Sequence, residues 1–219
     1  ISLSINARTA LIQEFKTLAT LRHPHIISVL DYGFDSEQIP FFTMNWLDNA
    51  QYFVTACKDA PLDRKLEYVS QMLLALVYLH RRGIIHRDLK PTNVLVQNGV
   101  VKVLDFGLAT GDTASKSDEA VVGTLQYMSP EMLSGDGASF ESDLYAVGLM
   151  MYDIFAHEPP YRSQTVTQLI HDIMNTIPDT SMLDVSVELQ ILIAQLLEKS
   201  PQDRPRNAHD VWRQLNKIR

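Results

Sequence analysis

At 219 residues the chain is long enough to bury a core of its own, and 46% hydrophobic with 21% charged residues is the composition of an ordinary soluble globular protein. No apolar run approaches the roughly 18 residues that a membrane span needs, and residues 1–15 have neither the basic flank nor the small-residue cleavage site of a secretory signal. A net charge of -7 argues against nucleic acid or any other general polyanion as partner, and the single Cys57 cannot form an intramolecular bridge, which fits a reducing cytoplasm.

From Ala7 to Leu21 the apolar residues Leu11, Phe15, Leu18 and Leu21 recur at three and four, one face of a helix that His23-Pro24 ends. Ile26 to Phe34 and Ile39 to Trp46 are short, apolar and rich in β-formers, so with Asp35-Ser36-Glu37 between them they predict an antiparallel pair. Cys57 reads as a semi-buried helix residue. Leu62 to Arg82 carries Leu66, Val69, Leu73, Leu76 and Leu79 and predicts a buried helix broken at Arg82-Gly83. Val94 to Val96 and Val100 to Leu104 flank Gln97-Asn98-Gly99, a hairpin signal because Asn and Gly both tolerate positive φ. Such a hairpin would hold Asn93 and Asp105 at its two ends. Gly111 to Val122 is polar and acidic without a period, hence a mobile loop. Helices are predicted over Ser142 to His157, Val166 to Asn175, Val187 to Glu198 and Ala208 to Ile218, with breaks at Pro159-Pro160 and Pro201. Asp143, at the start of the first of these, reads locally as an N-cap.

The run His86-Arg87-Asp88-Leu89-Lys90-Pro91-Thr92-Asn93 is followed twelve residues after its Asn by Asp105-Phe106-Gly107. Taken singly, each is an ordinary loop residue. As an ordered set they place a carboxylate base, a cation and two hard oxygen ligands together, and Mg²⁺ favours oxygens with few protein ligands beside phosphate and water. The set resembles the catalytic and metal-binding loops of protein kinases. Phosphoryl transfer asks a protein for positioning, charge neutralisation and a proton acceptor. The resemblance implies Asp88 as the base that accepts a substrate hydroxyl proton, Lys90 as stabiliser of the transferring phosphoryl group, and Asn93 and Asp105 as Mg²⁺ ligands beside ATP. Lys90 is the mark of the Ser/Thr type, so the implied partner is a protein with a Ser or Thr acceptor.

Further segments extend the likeness over essentially the whole chain. Gly123-Thr124-Leu125-Gln126-Tyr127-Met128-Ser129-Pro130-Glu131 resembles the close of a kinase activation loop, with Thr124 bonding towards Asp88 and Lys90 and Glu131 paired to Arg204. Asp143 would anchor the backbone of the His86-Arg87 loop. Glu14 stands where the family pairs a helix Glu with an ATP-orienting Lys, and Leu18 would join Phe106, His86 and Val29 in a column between lobes. Met44 would back an adenine pocket, the backbone of Asn45 and Trp46 would face the base, and Leu95 would floor it. The implied fold is α+β and protein-kinase-like: a partial N-lobe over residues 1–46, with one helix and two strands, and a mostly helical C-lobe over residues 47–219.

The chain departs from the pattern at its start. No Gly-rich phosphate loop precedes the helix, and Lys16, the only Lys before residue 58, lies in the helix of Glu14 and cannot be the strand Lys. The expectation is a kinase domain cut from a longer protein, with the fragment itself inactive. The alternative is a non-catalytic pseudokinase or interaction module. Asn45 replaces a frequent Glu without altering backbone contacts to adenine. Arg87 resembles kinases whose loop is ordered by phosphorylation, for which Thr113, Ser115 and Ser117 are candidate acceptors and Asp118 and Glu119 a permanent substitute. The short inter-helix connections resemble bacterial-type Ser/Thr kinases.

Overall fold

The computed structural model describes residues 19–36, 40–104, 125–163 and 165–219. The helix expected over Ala7 to Leu21, apart from its end, and the loop expected over Gly111 to Val122 lie outside these residues.

Strands β1 (Val29–Phe34) and β2 (Pro40–Met44) form a two-stranded antiparallel sheet in which Val29 pairs with Met44 and Phe34 with Pro40. Both strands are shorter than the apolar runs that predict them, for two reasons. Ile26, only 2% exposed, leaves the sheet to form a parallel bridge with Val103, where Ile27 donates its N–H to the Val103 carbonyl and Val103 donates to that of His25. On the partner strand at the same end, the pairing closes on the Asn45 N–H, donated to the Ser28 carbonyl, and Trp46 projects into solvent at 85% exposure. The stitch at Ile26 fastens the small sheet to the rest of the molecule.

The second sheet runs in the order β3 (Gln51–Tyr52), β4 (Val94–Gln97), β5 (Val100–Val103), all antiparallel. Its hairpin is the one the Asn-Gly signal predicts: Asn98 at φ 51° and Gly99 at φ 79° form a two-residue turn whose twist matches the strands. Strand β3 has no periodic signature because two residues carry none. It runs straight into α1 (Phe53–Cys57), where Cys57 is fully rather than partly buried and its thiol is pushed up to about 12 by that burial.

Helix α2 (Leu62–His80) follows its predicted stripe, with Leu66, Val69, Leu73, Leu76 and Leu79 all buried, and it ends in a turn at Gly83, φ 72°. After α3 (Pro130–Ser134), helix α4 (Phe140–Ala156) forms the axis of the core and is apolar nearly all round. It begins before the expected Ser142 because Ser139 is its N-cap, accepting from Ser142 N–H while the Ser142 hydroxyl accepts from Ser139 N–H. Asp143 is therefore a first-turn residue and not the cap. Gly148 on α4 allows a close approach: a Cβ there would meet Leu196 Cβ at 2.8 Å. Helices α5 (Val166–Asn175), α6 (Val187–Leu196) and α7 (Ala208–Ile218) complete the layer, α5 and α7 with the predicted bounds and α6 ending before Glu198. Trp212 on α7 donates its indole N–H to Ser70 on α2 at 3.0 Å. No helix of the described residues is long and apolar enough to cross a membrane.

Candidate active site

The loop between α2 and β4 is fixed from behind by one carboxylate. Asp143, side chain 1% exposed, accepts the His86 N–H at 2.9 Å and the Arg87 N–H at 3.0 Å, and His80 Nε2 lies 2.8 Å from its Oδ2. Arg87 needs such support because its φ of 71° lies in the left-handed region, costly for a residue with a Cβ. Anchoring of the His86-Arg87 backbone thus takes the place of the N-cap role that local sequence suggested for Asp143.

From the front, the loop is tied to β5. The buried His86 ring bonds through Nε2 to the Leu104 carbonyl at 2.8 Å, so that nitrogen carries the proton, and Leu104 donates its own N–H to the Asn93 carbonyl at 2.8 Å. Leu104 is clamped from both sides. The chain leaves β5 beside Asn93, as the hairpin reading requires; Asp105 itself lies outside the described residues.

Three predicted side chains converge between these ties. Lys90 Nζ lies 2.8 Å from Asp88 Oδ2 and 3.0 Å from Oδ1, with the Lys side chain 19% and the Asp side chain 35% exposed. Asn93, on a single 3₁₀ turn (Pro91–Asn93), reaches the Asp88 carbonyl at 2.8 Å and Asp88 Oδ2 at 2.9 Å. Both of those atoms only accept, so the Asn93 amide nitrogen must face Asp88 and its oxygen faces away. The arrangement offers a half-open carboxylate, a cation against it, and a hard oxygen donor at 6% residue exposure. That donor suits a Mg²⁺ that keeps most of its ligands as phosphate and water. Among the described residues no group of three or more His, Cys, Asp or Glu is placed to hold a metal by itself.

The expected base pocket is described in part. Met44 and Leu95 are half-buried, and Asn45 and Trp46 are exposed, with the Trp46 indole donating to Asp48 Oδ1 at 2.7 Å. Since the Asn45 N–H is committed to Ser28, only its carbonyl is left to face a base edge. Glu14, Leu18, Phe106, Thr124 and the candidate phosphate acceptors Thr113, Ser115 and Ser117 lie outside the described residues, as do Asp118 and Glu119.

Beyond the loop, Tyr127 and Met128 line a small cavity together with Arg87, Asp88 and Leu89. Tyr127 donates to Asp153 Oδ2 at 2.9 Å; burial pushes the Asp153 carboxyl up, and this hydrogen bond works against it. Glu131 meets the Arg204 guanidinium in a two-bond fork at 2.7 and 2.8 Å and accepts from the Ser142 hydroxyl at 2.6 Å. Arg204, 0% exposed, spends its other N–H groups on the carbonyls of Glu198, Glu141 and Lys199. Burial acts to raise the Glu131 carboxyl, but the bonds from Arg204 and Ser142 and the guanidinium charge bring it below its ordinary value. His80 and Asp153 escaped the sequence reading. Each sits at an unremarkable helical position, and only tertiary contact gives it a role.

Comparison with known proteins agrees with this geometry. The family described as protein kinase domain matches residues 3–215. The serine/threonine-protein kinase PknB of Mycobacterium leprae (strain TN) is 31% identical over 218 residues, covering 94% of this chain and 35% of the relative. A probable serine/threonine-protein kinase of Streptomyces coelicolor is 33% identical over 213 residues, covering 91% and 32%. The serine/threonine-protein kinase pkn3 of Myxococcus xanthus is 34% identical over 224 residues, covering 94% and 41%. The chain spans roughly a third of the length of such curated relatives.

Proposed function

We propose, for a chain that belongs to the protein kinase family, that the protein containing it transfers the γ-phosphoryl group of ATP to serine or threonine hydroxyls of other proteins. The observation that carries this reading is the Asp88, Lys90 and Asn93 cluster on a backbone locked from behind by Asp143.

Asp88 orients the acceptor hydroxyl for in-line attack and takes its proton as the new O–P bond forms, while the bond from the γ-phosphorus to the β–γ bridging oxygen breaks and ADP leaves. Lys90, held against the same carboxylate, faces the developing charge on the transferring group, where a preset cation costs no reorganisation. Asn93 turns its amide oxygen away from Asp88, and with Asp105 it would hold Mg²⁺. When bound, the ion neutralises charge on the phosphates of ATP. Met44, Leu95 and the Asn45 and Trp46 backbone would receive the adenine, and Glu14 would orient the phosphate-binding Lys of the complete domain. A cytoplasmic setting, suggested by the lone buried Cys57, belongs to the same proposal.

The test is phosphate incorporation by the full-length protein from Mg·ATP into generic protein substrates, followed by identification of the labelled residues. Label on serine and threonine is expected. Label confined to a sugar or other small molecule would exclude a protein substrate, and no label at all would favour a non-catalytic module.

A further inference from the structure

Between Arg162 and Lys199 the chain carries Asp172, Asp179, Asp184, Glu188 and Glu198 and no Lys or Arg. The two bounding cations are themselves engaged: Arg162 pairs with Glu158, and Lys199 donates to the Tyr161 hydroxyl at 2.7 Å and the Ile173 carbonyl at 2.6 Å. Asp179, Asp184 and Glu188 are exposed, and none of the three has an ion-pair partner among the described residues. Hydrogen bonds from the Ser181 hydroxyl and N–H hold the Asp179 carboxyl below its ordinary value, which keeps it charged.

The same segment turns apolar side chains outward. Helix α6 buries Leu189, Leu192, Ile193 and Leu196, and a helix with one buried face ordinarily carries polar residues on the other. On its outer face α6 instead has Val187 and Ile191, both more than half exposed and one turn apart. Gln190, beside Ile191 and three residues after Val187, donates its amide to the carbonyls of Leu183 at 2.9 Å and Ser181 at 3.5 Å. Those carbonyls flank Met182, so the strap that leads into α6 is fastened beside this face with Met182 81% exposed. An apolar patch with a charged rim marks an interaction site.

We propose that this patch docks a basic amphipathic helix of a partner protein, its apolar stripe on Met182, Val187 and Ile191 and its lysines or arginines facing Asp179, Asp184 and Glu188. Charge decides among the occupants that an apolar patch can take. A second copy of the chain would bring the same acidic rim against itself, and the anionic headgroups of a membrane surface would be repelled by it. A partner of opposite charge gains from the apolar centre and the rim together. The docking concerns binding alone and stands apart from the kinase reading.

The probe is a peptide of leucine and lysine at helical spacing, about 18 residues long so that it holds a helix, with a glutamate-for-lysine peptide as its counterpart. Each is titrated into the full-length protein without ATP, at physiological ionic strength, and followed by fluorescence anisotropy. Expected are a Kd below about 0.1 mM for the lysine peptide and no saturable binding of the glutamate peptide. Met182→Asp and Ile191→Asp, outward-facing changes that spare the core, should each weaken binding by about tenfold or more. Each adds an acid, so a merely electrostatic attraction would strengthen instead. The double change Asp184→Lys with Glu188→Lys should weaken binding by about threefold or more and flatten its salt dependence. No saturable binding of the lysine peptide, saturable binding of the glutamate peptide, or affinity unchanged or raised in Met182→Asp and Ile191→Asp would each overturn the site. Dimerisation of the full-length protein that Ile191→Asp abolishes would give the patch to a second copy, and vesicle binding that it abolishes would give it to a lipid surface. Either result would overturn the proposed partner.

Discussion

Asp143 and Asp88 are the same side chain put to opposite uses at neighbouring points of one loop: Asp143, reaching in from α4, holds the backbone of His86 and Arg87, and Asp88 follows directly. Asp143 is 1% exposed, and its oxygens are filled by His80, His86 and Arg87, two of those contacts being backbone N–H groups. Asp88 is 35% exposed and touches two side chains that are themselves parts of the cluster, Lys90 and Asn93. Burial with complete satisfaction makes a carboxylate a fastener. Partial exposure beside a cation leaves one free to meet a substrate. The strained φ of Arg87 marks the boundary between the two.

Substituting each carboxylate should separate these uses. Asp88→Asn removes a proton acceptor while keeping size and most contacts, so phosphoryl transfer by the full-length protein should fall by about 10²–10⁴-fold. Its unfolding midpoint in urea should stay at the wild-type value. Asp143→Ala should do the reverse in emphasis: stability falls by about 3 kcal/mol because buried backbone donors at His86 and Arg87 lose their acceptor. If Asp143→Ala unfolds at the wild-type urea concentration, the fastener account is wrong.

Glu131 sharpens the contrast with a third carboxylate and the smallest effect. Its folded pKa is depressed below the ordinary 4.5, so its contribution to stability is complete above that pH and fades as pH falls through the folded value. The stability gap between wild type and Glu131→Gln should be widest near neutral pH and narrow below about pH 4. A gap that widens on acidification would reverse the assigned sign.

Much of the scaffold was legible because its signals are local. The Asn98-Gly99 turn, the α2 stripe and the bounds of α5 and α7 follow from backbone tolerance and apolar period alone. The cluster was legible for a similar reason: Asp88, Lys90 and Asn93 fit within one loop and one 3₁₀ turn. What failed depends on distance. An acid at a helix start looks locally like a cap; the anchoring of the His86-Arg87 loop by Asp143 came from family likeness, and the contacts of His86 and Arg87 bear it out, with His80 added. Ile26 looks like strand of the first sheet until Val103, far along the chain, bonds the Ile27 N–H and the His25 carbonyl on either side of it. The Glu131–Arg204 pair came from family likeness, since no local pattern joins residues 73 positions apart.

The central claim is that Asp88, Lys90 and Asn93 share one cleft with a nucleotide-borne metal, and paramagnetic Mn²⁺ substituted for Mg²⁺ tests it most directly. With Mn·ATP bound to the isotope-labelled protein, the amides of residues 88–94 and the Asn93 side-chain NH₂ should broaden strongly, and those of α7 should stay sharp. Broadening centred on any other part of the chain, with residues 88–94 untouched, would contradict the account.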